Sequence, residues 1–373
     1  MRLTVDKEQF LKALNTANKA VASKSPIQTM TSLKLELSDK GLEVTGTNGD
    51  ITIRTIVPYK IGEKQVIKNF TPGATLVSAK ILVEVVRKVS GEELVMDVID
   101  DAILKVDDGR SSFKLNCQNA DEFVDVDLEP AGTTFEISAT DLTALVEQSA
   151  FAASNKEQRP ILKALHLEAE NGRLIATATD SARLARKVVP VDPEARFVCN
   201  IPARIALDIV HMLDTAPAVR VSVSSNKALF EFDGATVSSR LTQGDYPLTR
   251  SIIPSTFNDT LEVNAQELLA ALERVRILSN DSEPAVKISM SEEEIELSAR
   301  SDNSGSANEK IATFNYVGDD LEVSFNSQFV IDAVKAVKAE DVTICFLGQM
   351  KPFVVKNPKD DSVVELITPM RIN

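Results

Sequence analysis

Tryptophan is absent from the chain, aromatic residues make up only 5% of it, and histidine occurs twice. So little aromatic surface argues against stacking platforms for single-stranded nucleic acid. It also leaves apolar burial mainly to Leu, Ile, Val and Ala. Both histidines lie in apolar runs, His166 in LKALHLEAE and His211 in IALDIVHML, and read as packing or surface residues. The three cysteines, Cys117, Cys199 and Cys345, are isolated, odd in number and without CxxC spacing, so no disulfide framework is expected. No stretch approaches the ~18 uninterrupted apolar residues that span a bilayer, and MRLTVDKEQF lacks the apolar core of a signal peptide. The expectation is a reduced, cytoplasmic protein. HExxH, GxSxG, GxxxxGK[ST] and GxGxxG are all missing. The pairs Asp100-Asp101, Asp107-Asp108 and Asp360-Asp361 read as turns between strands, so no catalytic residue, metal or cofactor is expected.

What is present suits a soluble globular protein: 373 residues, 43% hydrophobic and 26% charged, too long for one core and enough for two or three domains. The net charge is −14, with 55 acidic against 41 basic residues, which taken alone repels nucleic-acid phosphates. Net charge says nothing about where the charges sit, however.

The informative feature is internal repetition. Leu3-Thr4-Val5-Asp6, Phe135-Glu136-Ile137-Ser138 and Leu261-Glu262-Val263-Asn264 are each a short alternating strand ending in a helix-capping residue. A helical pattern follows each, with Gln9, Asp141 or Glu267 placed to reach back as in a capping box. The caps lie 132 and 126 residues apart. A second helix recurs from Ser78-Ala79-Lys80, Pro202-Ala203-Arg204 and Asn326-Ser327-Gln328, offset by 124 residues both times. Alternating segments such as Leu33-Lys34-Leu35-Glu36-Leu37 and Val219-Arg220-Val221-Ser222-Val223 supply strands between them. The pattern predicts three α+β domains, 1–130, 131–256 and 257–373, each with two helices packed on antiparallel sheet, with boundaries near Pro130 and Pro254.

These residues carry a family resemblance covering the whole chain. Thr179-Asp180-Ser181-Ala182-Arg183-Leu184-Ala185 resembles the TD-x-x-RLA motif of bacterial DNA sliding clamps, the beta subunit of DNA polymerase III, as does Arg159-Pro160-Ile161-Leu162 before it. Gly244-Asp245-Tyr246-Pro247 with Ile252-Ile253-Pro254 is similar to the segment closing their second domain. Leu366-Ile367-Thr368-Pro369-Met370-Arg371-Ile372 is similar to their tail. The resemblance implies three clamp domains forming half of a six-domain ring. A head-to-tail homodimer then encircles double-stranded DNA without reading its sequence, and tethers the replicative polymerase with no chemistry of its own. It implies a peptide groove for short motifs of the polymerase, clamp loader and repair proteins. By position, its wall includes Leu162, Thr179, Arg183, Leu184, Pro247, Ile252, Met350, Pro352, Ile367, Pro369 and Met370, with Arg183 and Arg371 orienting the peptide. Two departures bear on polar contacts at its rim. Ser181-Ala182 stands where many relatives have Gly-His or Ser-His, and Ser251 where some have Arg. Ring closure is implied for Ile277 and Leu278 against Phe113 and Leu115, with Asp121, Glu122 and Asp125 facing Arg274 or Arg276.

The six predicted helices (7–22, 79–89, 139–150, 203–214, 265–279 and 327–338) sum to +2, leaving −16 for everything else. That division fits a mildly basic lining and an acidic exterior. Lys80 and Arg204 hold cations in the first turn of a helix, where the macrodipole disfavours them by a few tenths of a kcal/mol. They are candidates for phosphate contact, and the resemblance adds Lys24 and Lys156. The competing readings are a monomeric β-rich interaction scaffold that does not encircle DNA and, further off, a hydrolase using Asp180 and His166.

Overall fold

The computed structural model describes residues 1–213, 216–279, 284–301 and 303–371. The described residues form six α-helices: α1 (Lys7–Asn18), α2 (Ala79–Lys88), α3 (Ala139–Glu147), α4 (Ala203–Val210), α5 (Ala265–Val275) and α6 (Ser327–Ala336). Each begins where the sequence predicts and ends earlier. The overshoot has a physical cause: apolar spacing continues past the helix while the backbone tightens to i→i+3 hydrogen bonds. Lys19 N–H donates to Thr16 O and Ala20 N–H to Ala17 O after α1, and a 3₁₀ turn, Arg276–Leu278, follows α5. Lys19, Arg276 and Lys338 therefore fall outside the helices, which carry no net charge rather than +2. Asp214, counted in the fourth stretch, lies outside the described residues, as does Ile372. No helix among the described residues is long and apolar enough to cross a membrane.

The caps are half as expected. Asp6 accepts from Gln9 N–H at 3.0 Å, Asn264 from Gln266 and Glu267 N–H at 3.1 and 3.2 Å, and Asn326 from Gln328 N–H at 2.9 Å. The reciprocal arm of the capping box is absent at α1 and α5. Asp6 ends the strand Arg2–Asp6, and its own N–H already donates to Val66 O at 2.9 Å. Glu267 turns instead to the N–H of Ala312, 2.7 Å away. Ser78, expected to cap α2, makes no capping bond.

Two compact units emerge, residues 1–139 with 211–241, and 140–210 with 242–373. Strand pairing decides the division. In the first unit, Ala235–Arg240 lies antiparallel to Ile51–Val57, joining its strands into one thirteen-stranded sheet. In the second, Arg183–Pro190 lies antiparallel to Asp360–Ile367 within a nine-stranded sheet, beside a separate four-stranded one. Each unit buries helix faces on sheet: Phe10, Leu14, Leu82 and Val86 with Leu33, Leu35 and Val44 in the first, and Leu268, Leu272, Val330 and Val334 with Val286, Ile288 and Phe325 in the second.

Removing a working cap should register and removing an idle one should not. Asn264→Ala is expected to cost about 1 kcal/mol, and Ser78→Ala less than about 0.5 kcal/mol, in urea denaturation.

Candidate functional site

The strands Arg173–Thr179 and Arg183–Pro190 are joined by a turn that its own side chains hold shut. Asp180 Oδ1 accepts from Ala182 and Arg183 N–H at 2.9 and 3.0 Å, and Thr179 Oγ1 donates to Arg183 O at 2.6 Å. Ser181 sits at φ 82°, a left-handed conformation that favours glycine, pinned by its N–H on Thr179 Oγ1 and by Arg159 donating to its Oγ at 3.2 Å. Arg183 leaves this turn with its guanidinium fully engaged. Nε bonds Asp180 Oδ2 at 3.1 Å, Nη1 bonds Asp332 Oδ2 of α6 at 2.7 Å, and Nη2 bonds Phe151 O at 2.9 Å. Its plane also lies 4.5 Å from the Phe329 ring centroid. Rather than a free group awaiting a peptide, Arg183 is a bolt holding turn, helix and sheet together.

The next residue faces the other way. Leu184 stands opposite Leu366, which stands opposite Val354, and the three form a buried apolar floor against which Ile253, Phe257 and Val364 pack. Ile367, read from the sequence as pocket wall, pairs with Arg183 and Phe353 and points into the core. Leu366, one residue before it, faces the other way, because a step of one residue in a strand reverses the face. Leu366, Val354, Ile253 and Phe257 escaped the sequence reading. Alternation from Leu184 would have found them only with the pairing register already known.

The segment over this floor is anchored by Tyr246. Its buried hydroxyl accepts from Thr179 N–H at 3.0 Å, and its ring stacks on His166 at 4.7 Å and 9°. His166 Nδ1 in turn contacts Asn200 Oδ1 at 2.7 Å, and Asn200 donates to Gly244 O at 3.1 Å. His166 and Asp180 thus each have a structural task, and nothing aligns them for hydrolysis. Tyr246 leaves Pro247 exposed, with Leu248 90% and Ile252 48% exposed beyond it. Leu162 and Thr179 are buried, the Leu162 carbonyl accepting from Ser154 N–H at 2.8 Å. Pro352, Pro369 and Met370 are half-buried. The C-terminal segment is tied down by Thr368, whose N–H and hydroxyl both donate to Ala182 O, and by Met370 N–H on Ser324 O at 2.7 Å. Met350, Met370 and Arg371 border a separate groove of about 800 Å³ across the four-stranded sheet.

The expected phosphate contacts Lys24, Lys80, Lys156 and Arg204 are all exposed, and none makes an ion pair among the described residues. Other cations on or beside the helices are engaged, as in Arg87–Glu84, Lys335–Glu273 and Lys338–Glu147. Of the expected interface residues, Ile277 is 74% and Phe113 36% exposed, Leu278 is half-buried, and Leu115 belongs to the first unit's core. Within the first unit, Ser112–Asn116 pairs only with Ile103–Asp107, and the strand crosses to Val77 and Leu76 at Cys117 and Gln118. Within the second, Gly305–Ile311 is an edge strand, held to α5 by the Arg274–Glu309 ion pair. Arg276 donates to Gln328 Oε1 at 2.7 Å. Asp121, Glu122 and Asp125 are exposed.

Below Arg183, on the same strand face as Ile367, lies Glu365, 2% exposed and with no hydrogen-bond partner for Oε1 among the described residues. Burial pushes its carboxyl well above the ordinary 4.5, against the pull of Arg183. A raised folded-state value means the native state keeps a proton that the unfolded chain releases, so stability falls as pH rises from about 4.5. Glu365→Gln is therefore expected to match wild type near pH 4.5 and to gain thermal stability over it progressively at higher pH. Arg183→Lys is expected to cost at least about 2 kcal/mol, because an ammonium cannot reproduce the three-way fork or the ring stacking; denaturant midpoints would report both effects.

Comparison with known proteins agrees with this architecture. Models of the DNA polymerase III beta subunit match in order: its N-terminal domain over residues 1–127, its central domain over 136–248 and its C-terminal domain over 250–371. The Beta sliding clamp of Halalkalibacterium halodurans is 32% identical over 378 residues, and that of Bacillus subtilis 31% over 376, covering all of both chains in each case. The crystal structure of the Bacillus subtilis DNA polymerase sliding clamp aligns over the whole of both chains with a TM-score of 0.96 at 30% identity. The chain belongs to the beta sliding clamp family, the non-catalytic beta subunit of DNA polymerase III.

Proposed function

We propose that two copies of this DNA sliding clamp join head to tail as a closed ring around duplex DNA in the cytoplasm. Each copy supplies three clamp domains, 1–130, 131–256 and 257–373. The observation that carries this reading is the match of all three domain models, in order, along the whole chain. The exposed faces support it. The incompletely paired strand Ser112–Gln118 carries Phe113, and the edge strand Gly305–Ile311 lies beside Ile277, so each unit offers a strand edge with an apolar residue for a second copy to extend. The unpaired Lys24, Lys80, Lys156 and Arg204 supply weak, salt-sensitive phosphate contacts without base readout. Closure rather than affinity then keeps the protein on its track, and six helices with no net charge between them suit movement better than a strongly basic channel.

The same reading gives the apolar floor of Leu184, Leu366 and Val354, with exposed Ile252 and Leu248 above it, to short apolar peptide segments of the polymerase, clamp loader and repair proteins. Met350, Pro369, Met370 and Arg371 serve the neighbouring groove. Arg183 supports the wall.

Ring closure has a topological signature. Loaded on nicked circular DNA, the protein is expected to survive a wash at high salt and to be lost when the circle is cut, with a solution mass near twice 40.6 kDa. Equal retention on circular and linear DNA, or a monomer mass, would favour the scaffold reading.

A further inference from the structure

On a chain of net charge −14, a local excess of cations on one face of the nine-stranded sheet stands out. Alternation puts Arg186 on the same face as Leu184, opposite Val364, which itself packs on the apolar floor. Arg173 lies on the adjacent strand, and Arg250 enters from the overlying segment to meet Glu168 Oε1 at 3.4 Å. Neither Arg173 nor Arg186 makes an ion pair among the described residues. Partial burial, and then the fields of Arg173 and Arg250, lower the Arg186 guanidinium below its ordinary value, and Glu168 opposes them. Glu170 stands opposite Arg173 in the strand pairing, so the three arginines face two carboxylates, and among the described residues Arg186 makes an ion pair with neither. On the far side of the floor, Lys356 lies 4.7 Å from the Phe257 ring.

We propose that Arg173, Arg186 and Arg250 form a basic strip continuous with the apolar pocket, which binds acidic residues flanking the apolar anchor of a partner's docking peptide. This rests on the peptide-docking reading above and adds to it a charge requirement. A short carboxylate segment fits better than a phosphate backbone. Arg250 already holds a carboxylate, Glu168, which an incoming Asp or Glu displaces like for like. The strip is also bounded at its Arg173 end: exposed Glu170 stands opposite Arg173 on the neighbouring strand, and the turn bearing exposed Asp192 and Glu194 is held against Gly172, with Val191 N–H on Gly172 O at 3.0 Å. A long polyanion running on past Arg173 meets these acids; three or four residues of peptide held by Arg186 and Arg250 do not.

The probes are synthetic peptides with a Leu-Phe anchor, flanked at either end by three Asp, three Asn or nothing, titrated by fluorescence anisotropy. With the Asp triplet at one of the two ends, binding at low salt is expected to be about fivefold tighter than with Asn, in keeping with the modest strength of exposed ion pairs, and equal to it at high salt. The advantage is expected to vanish in the double variant Arg186→Gln, Arg250→Gln, which binds the unflanked peptide as wild type does. Glu168→Gln, which frees Arg250, is expected to widen it. Equal binding of Asp- and Asn-flanked peptides, with the unflanked one bound, overturns the strip and leaves the pocket standing. Failure of every peptide to bind overturns both. Displacement of the Asp-flanked peptide from the strip by a thymidine dodecamer stronger than by free tri-aspartate would overturn the acidic-peptide assignment in favour of phosphate.

Discussion

The second unit depends on one junction: the strand Arg183–Pro190 laid antiparallel on Asp360–Ile367, begun by an arginine that bonds in three directions. Segments from distant parts of the chain meet there. A partly buried guanidinium is costly unless compensated, and Arg183 has two carboxylates, a carbonyl and two aromatic rings around it. Its planar fork suits those partners in a way a point charge cannot. Once the backbone is held in this register, Leu184 must face Leu366 on the opposite side of the sheet. The apolar floor is therefore a consequence of the bolt. So is the burial of Glu365, whose unpartnered oxygen is the energetic liability of sealing a carboxylate into the same seam.

How much of this was legible in the sequence depended on range. Helix starts were, because a capping residue directly follows an alternating strand, and both signals are local. Helix ends were not, since apolar spacing does not distinguish an α-turn from the 3₁₀ turn Arg276–Leu278. The capping-box arm failed for a related reason: a cap that is also a strand residue has its N–H committed to the sheet, as Asp6 does. In the pocket, Ile367 and Leu366 are equally apolar, and only pairing with a strand far upstream decides which one faces Leu184. Ile253 and Phe257 sit in a segment with no periodicity to read. The three-way role of Arg183 was hidden because Asp332 and Phe151 are remote in sequence.

Charge shows the same division between what composition states and what position does. The six helices together carry no net charge, and the negative charge lies elsewhere. Many lysines and arginines are tied into exposed ion pairs that contribute little to stability but remove those cations from any external partner. The ones left unpaired matter by that fact alone. Lys24, Lys80, Lys156 and Arg204 are four such groups. On the reading proposed above, their weakness is useful: contacts that exchange readily with counterions let a closed ring move, whereas a dense basic channel would hold it in place.

The arginines beside the apolar floor act in the other direction. An apolar pocket discriminates poorly among partners, because one methylene more or less changes affinity by roughly 1–3 kcal/mol at most. Several proteins carrying similar short anchors would compete there on nearly equal terms. A basic strip one residue row away separates them by the charge of their flanks, at small gain in affinity but with faster encounter for acidic segments and slower for basic ones. Glu168 sharpens this, since it occupies Arg250 until a carboxylate replaces it. Neutral flanks leave that pair intact and gain nothing. Selectivity then comes from the exchange of one carboxylate for another on a surface whose surroundings repel everything longer and more negative.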